Sequence, residues 1–209
     1  MGTELIFQIA ALGIIVSVLC RLLVQSGRDE PGRIRLRGCK RIRLKKEEWD
    51  MGLRKILTDK DPALHKVCKP VTSFDWRLHK LLDDMRDTLE EAQGVGLAAP
   101  QVGILRRVVI VDTGEEILEL VNPTMIATDG EQVGPEGCLS VPGKYGLVKR
   151  PYYAKVRAQD RYGEWYEAEG EELIGRCFCH ELDHLDGIVY TEVMERFLSE
   201  EELMYDDED

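Results

Sequence analysis

Residues 180–184 read His-Glu-Leu-Asp-His, and this pentapeptide constrains the fold more than any other part of the chain. On a helix, residues four apart lie one above the other on one face. His180 and His184 can then offer two imidazoles to one metal ion, and Glu181 projects beside that face, within reach of a water at the ion. A strand or a loop would separate the three side chains. A catalytic metal site wants three protein ligands and an open position. The chain must therefore build this helix inside a fold that brings a third ligand from elsewhere. The bland alternative is a set of helix-surface residues with no metal.

Two sources of a third ligand are open. The other histidines, His65 and His79, lie upstream, while Asp186, Glu192 and Glu195 lie downstream. A downstream carboxylate would give a metalloprotease of the glutamate type. Upstream, "PEGCLSVPG" holds Cys138 in what reads as a loop bounded by Gly and Pro, and its thiolate would give a Cys-His-His set. A lone cysteine is more often a small buried residue. Cys177 and Cys179 point to different faces of a helix and do not form a metal pair. A third segment, "GVGLAAPQVG" over residues 94–103, reads either as a helix stop and turn or as backbone open to close approach by another chain. It follows a helix pattern rather than a strand, so it is not a dinucleotide fingerprint. Gln101 adds an amide that can donate to an anionic oxygen.

The surrounding pattern predicts an α+β fold. Leu78, Leu81, Leu82, Met85, Leu89 and Ala92 recur at helical steps, with Ser73 and Asp75 as candidate caps and Gly94 as the stop. Strand-like runs follow as "RVVIVD", "EILELVN" and "TMIAT", with a turn at Asp129-Gly130. "YAKVRAQD" and "EWYEAEG" read as a hairpin turned at "RYG". The helical pattern returns from Glu171 to about His184 and closes near Gly187.

Charge divides the chain. Residues 1–50 carry 10 Lys and Arg against 6 Asp and Glu, whereas residues 51–209 carry 18 against 33. So acidic a domain would repel phosphate, which argues against direct nucleic-acid specificity. The six cysteines are scattered and show no secreted-type framework. Residues 5–20 carry no charge, and with "RLLV" the apolar run over residues 5–24 reaches the roughly 20 residues that span a bilayer. Nine basic residues between Arg28 and Lys46 follow, and the positive-inside tendency would hold the rest of the chain in the cytoplasm. The run reads as a membrane anchor, as a segment that belongs to no native mature product, from a fused or misplaced upstream start, or as a soluble amphipathic helix. Met51 can serve as an independent start. The organisation expected is an apolar segment (1–25), a basic linker (26–50), a catalytic domain (51–195) and an acidic tail (196–209), frayed or disordered.

Three segments, "GVGLAAPQ" (94–101), "EGCLS" (136–140) and "HELDH" (180–184), together resemble the three motifs of polypeptide deformylase in order and spacing. "DPALHKVCKPVTSFD" and "DGIVYTEVM" extend the resemblance from about Met51 to about Val193. Separately, residues 1–26 resemble the opening of a stage III sporulation membrane protein. The deformylase resemblance implies antiparallel sheets around a central helix carrying both histidines. It implies removal of the formyl group from the N-terminal formyl-methionine of new polypeptides, with formate released, close to the ribosome exit. Carried over by position, Cys138, His180 and His184 hold ferrous iron, or zinc or nickel in vitro. Glu181 is the general base and acid. The N–H of Leu139 and the side chain of Gln101 meet the oxyanion. Gly94, Val95, Gly96, Gly137 and Cys177 line the substrate groove, with Val95 near the methionine pocket. Oxidation of Cys138 should inactivate the enzyme. Two positions depart from the common pattern: Cys179, where glutamine is usual, and Arg176, where an apolar residue is frequent. A glutamate-type protease, the rival enzyme, would cut internal peptide bonds and be indifferent to Cys138→Ser. A catalytically silent binding protein would release no formate.

Overall fold

The computed structural model describes residues 52–204; the apolar and basic N-terminal runs and the last five residues lie outside them. Helix α1 (Trp76–Ala92) starts at Asp75, whose carboxylate accepts from the N–H groups of Arg77 and Leu78 at 2.9 and 3.4 Å. Ser73 is not the cap but supports it, donating its hydroxyl to Asp75. The helix stops one residue before the expected glycine. Gln93 takes the left-handed conformation, φ 51°, and its N–H returns to Leu89 and Glu90.

Among the described residues eight strands follow: β1 (Gly96–Ala98), β2 (Val108–Asp112), β3 (Ile117–Asp129), β4 (Gln132–Cys138), β5 (Val141–Arg150), β6 (Tyr153–Gln159), β7 (Trp165–Glu171) and, late in the chain, β8 (Arg196–Phe197). Helix α2 (Glu172–Leu185) lies between β7 and β8, and a short α3 (Glu200–Met204) ends the described residues. The strands form two antiparallel sheets, ordered β1-β2-β3-β6-β7 and β4-β5-β8.

Strand β2 shows why the core sits where it does. Its run Val-Val-Ile-Val is apolar without alternation, the signature of a strand buried on both faces. Val109 and Val111 pack with Phe178, Leu182 and Leu185 of α2. Val108 and Ile110 pack with Leu78, Leu82, Met85 and Leu89 of α1. The sheet is thus held between two helices, and the motif helix α2 is the inner one. A third cluster, with Leu64, Val141, Val148, Val189 and Tyr190, underlies the small sheet.

Two expectations change. The runs at 116–122 and 124–128 are one strand, β3, kinked where Asn122 adopts φ 53°. The Asn122 amide accepts from Val71 N–H at 2.7 Å and donates to Val71 C=O and Gln159 at 2.9 Å, which holds the bulge. "PEGCLSVPG" is not a loop. It is the end of β4, a two-residue turn, and the start of β5. Proline is tolerated there because β4 is the edge of its sheet, and a missing N–H can face away from the single partner. Among the described residues no helix is long and apolar enough to cross a membrane.

Helix α2 approaches the hairpin β6–β7 closely at Gly175. A Cβ there would lie 2.7 Å from the Tyr152 carbonyl and 3.0 Å from that of Gly170, both backbone atoms that cannot swing aside. Gly175→Ala is expected to lower stability by about 1–3 kcal/mol despite alanine's better helix propensity. Chemical denaturation at neutral pH measures this.

Candidate metal centre and substrate cleft

The β4–β5 ladder slips in register between Gly137 and Cys138, so that Cys138 ends its strand facing α2. The Cys138 Sγ lies 3.2 Å from His184 Nε2. Ligand atoms of Cys138, His180 and His184 all fall within 4.8 Å of one another. Among the described residues no other His, Cys, Asp or Glu group is so arranged. A cation about 2.0–2.3 Å from thiolate and imidazole asks for ligand atoms roughly 3.3–3.8 Å apart; the Cys138–His184 pair is close to that, and one thiolate with two imidazoles is the right donor set for such an ion. Neither Cys177 nor Cys179 joins the cluster. Asp186 pairs with Arg107, and Glu192 with His65, so these downstream carboxylates are held elsewhere.

Electrostatics prepare the site. His180 Nδ1 donates to Glu136 Oε1 at 2.7 Å, which turns its other nitrogen toward Cys138 and His184. Glu136 also accepts from Arg150 at 2.8 and 3.0 Å and from Arg176 at 3.3 Å. Burial works to raise the Glu136 carboxyl, but the hydrogen bonds from His180 and Arg150 outweigh it and hold it at about 2. Burial and the neighbouring His180 keep His184 neutral, as a ligand must be. Burial also disfavours charge on His180, yet Cys138 and Glu136 draw positive charge to it. A proton or a divalent cation answers that demand. Among the described residues, His184 Nδ1 and Glu181 Oε2 are buried without a partner.

Sequence reasoning missed Glu136, Arg150 and Asp183. Arg150 bridges Glu136 to Asp183 at 2.7 Å, tying β5 to α2 beside the ligands. With β4 recognised as a strand the signal is plain: Glu136, two residues before Cys138, shares that residue's face, but a segment read as a loop hid it.

The cluster opens into a cleft of about 360 Å³ whose lining includes Gly94, Val95, Gly96, Gln101, Gly137, Leu139, Cys177 and Glu181. Every residue expected in the groove is there. The cleft is bordered by β1 and β4, each the edge of its sheet. Gly96 is required by the close approach of α2, since a Cβ would collide with the Glu181 carboxylate and lie 2.7 Å from Cys177 Sγ. Gln101 is fixed by Ala98 N–H, which donates to its Oε1 at 2.8 Å, so its Nε2 faces Cys138 and Ser140 at 3.5 and 3.2 Å. A larger groove of about 940 Å³, lined by Glu115, Glu116, Glu119, Arg161 and Trp165 among others, holds none of these groups.

A profile of the polypeptide deformylase family matches residues 53–199. The chain belongs to the polypeptide deformylase family. The peptide deformylase of Agathobacter rectalis is 56% identical over 145 residues, 69% of this chain and 92% of that protein. The crystal structure of the Thermotoga maritima deformylase superposes with a TM-score of 0.67 at 39% identity, covering 68% of this chain and 98% of that one. A Met-Ala-Ser-bound class I type b deformylase from Acinetobacter baumannii gives 0.64 at 32% identity, with 68% and 98% covered. The enzyme is a metal-dependent hydrolase that removes the formyl group from the N-terminal formyl-methionine of new polypeptides.

Burial pushes the Glu181 carboxyl up to about 7, with His180 opposing and Glu136 reinforcing the shift. The native state therefore binds more protons than the unfolded chain between about pH 4.5 and 7, and stability falls as pH rises through that window. In chelated protein, Glu181→Gln removes this penalty. It is expected to be more stable than the parent at pH 8 by about 3 kcal/mol. The gap should close as pH falls toward 4.5, as followed by urea denaturation at both ends.

Proposed function

We propose that Cys138, His180 and His184 hold a divalent cation, ferrous iron in the cell, and that Glu181 moves the proton of the deformylation. The observation that carries this is the meeting of three ligand atoms within 4.8 Å, beside a buried carboxylate with one oxygen unpartnered. When bound, the cation supplies Lewis-acid polarisation and lowers the pKa of water toward 7. Glu181 takes a proton from the water whose oxygen attacks the formyl carbon. As the C–N bond breaks it returns that proton to the leaving amine, and formate departs. The Leu139 N–H has no acceptor among the described residues, and Gln101 Nε2 lies beside Cys138; these are the donors for the developing oxyanion. Removing one such donor typically slows reaction about 10²–10³-fold.

The substrate lies extended between β1 and β4. Gly94, Val95 and Gly96 pair with its backbone, which demands no particular second side chain. The Met-Ala-Ser complex of the Acinetobacter relative supports an N-terminal methionine peptide in this cleft. Action near the ribosome exit follows from a substrate that is still being synthesised. The apolar run over residues 5–24 supports membrane contact, and the basic run after it supports a cytoplasmic catalytic domain.

Formate release from formyl-Met-Ala by anaerobic, iron-loaded protein tests the roles of the residues. Glu181→Ala should retain one iron per chain and lose at least about 10²-fold in rate, the scale of general acid-base catalysis. Cys138→Ser should lose iron, read by metal analysis. Full activity in either variant, or an iron-free Glu181→Ala, would overturn the assignment.

A further inference from the structure

Among the described residues Arg176 is the one guanidinium in the cleft wall, and the reaction above leaves it unused. Its side chain is nine-tenths buried. All its hydrogen bonds leave from one nitrogen: Nη1 donates to Val148 C=O at 3.1 Å, Glu136 at 3.3 Å and Gly134 C=O at 3.4 Å. Among the described residues Nε and Nη2 find no acceptor, and neither is fully buried. A guanidinium carries five N–H donors in a rigid fork, so fixing one nitrogen against β4 and β5 fixes where the others point. Gly134 leaves that edge room, because a Cβ there would stand 3.3 Å from Nη2. The neighbouring lining of Val95, Leu139, Leu173 and Cys177 is apolar. Such a wall suits an apolar stem that ends at a hydrogen-bond acceptor. Methionine has that shape, with a thioether that accepts weakly. Norleucine, its all-carbon counterpart, has no acceptor, and the sulfoxide oxygen of oxidised methionine is a far stronger one.

We propose that Arg176 is a specificity-determining residue, whose open N–H edge donates to the sulfur or sulfoxide of the first side chain. The proposal rests on the reading of the cleft as the seat of that side chain beside Glu181. It makes this enzyme select formyl-methionine over formyl-norleucine and accept formyl-methionine sulfoxide. A site built to donate a hydrogen bond rejects an analogue lacking the acceptor, because its own donor is then stranded.

The test is kcat/KM for formyl-Met-Ala, formyl-norleucyl-Ala and formyl-methionine-sulfoxide-Ala, on the parent and on Arg176→Leu. Ratios between substrates are taken on one iron-loaded preparation, so metal content cancels. The parent should favour methionine over norleucine by at least roughly threefold and turn over the sulfoxide within about tenfold of methionine. In Arg176→Leu the first preference should vanish, and the sulfoxide should fall roughly 10- to 100-fold relative to methionine. A parent that treats methionine and norleucine alike and rejects the sulfoxide would overturn the proposal, as would unchanged ratios in the variant. Where Arg176→Leu fails to fold, the parent ratios alone decide, and Arg176→Gln replaces it. No formate from any of the three substrates would overturn the deformylase reading of the site instead.

Discussion

The structure turns on one buried carboxylate. Glu136 sits on an edge strand and gathers Arg150 from β5, Arg176 from α2 and His180 from α2. Its burial is nearly complete, and so is that of both arginines. An isolated buried charge would be intolerable, and this cluster survives because Glu136 and Asp183 answer Arg150 and Arg176. The same carboxylate sets the His180 ring. Small sheet, motif helix and the candidate ligand His180 are thus oriented by one group, and a change that removed it would leave Arg176 without a carboxylate partner and Arg150 with Asp183 alone.

Around that clamp the sheets do different work. The five-stranded sheet is buried on both sides of β2 and supplies the rigid bed under α2. The three-stranded sheet delivers Cys138 at a slip in its register. The candidate ligands therefore come from two packing systems, and their meeting is a consequence of how the sheets close on α2. Gly96 and Gly175 mark two tight approaches of α2, one at the Glu181 carboxylate and the other against the hairpin.

Much of this was legible before any coordinates. The histidine spacing, the heptad-like stripe of α1, and the hairpin at residues 153–171 are local patterns, and local patterns survive folding. So are the three motifs, and the residues that they nominate come together: Cys138, His180 and His184 cluster, and the others line the adjoining cleft. What was missed is nonlocal or disguised. Strand β4 was hidden by glycine and proline, which ordinarily mark loops but are allowed on an edge. The continuity of β3 was hidden because its bulge is held by Val71, 51 residues away. The Glu136, Arg150 and Asp183 partnership spans 14 and 33 residues, and charged residues read singly belong to the surface. The C-terminal stop of α1 shifted by one residue because Gln93 accepted the strained left-handed conformation next to an available glycine.

The proline in β4 has a further consequence. A cleft that accepts a peptide as an added strand must leave strand edges open, and open edges invite copies of the same protein to stack edge to edge. Pro135 is exposed on the β4 edge and offers no N–H there. A neighbouring copy therefore cannot extend an unbroken ladder along this edge. The feature that disguised the strand in the sequence protects the working cleft from self-association.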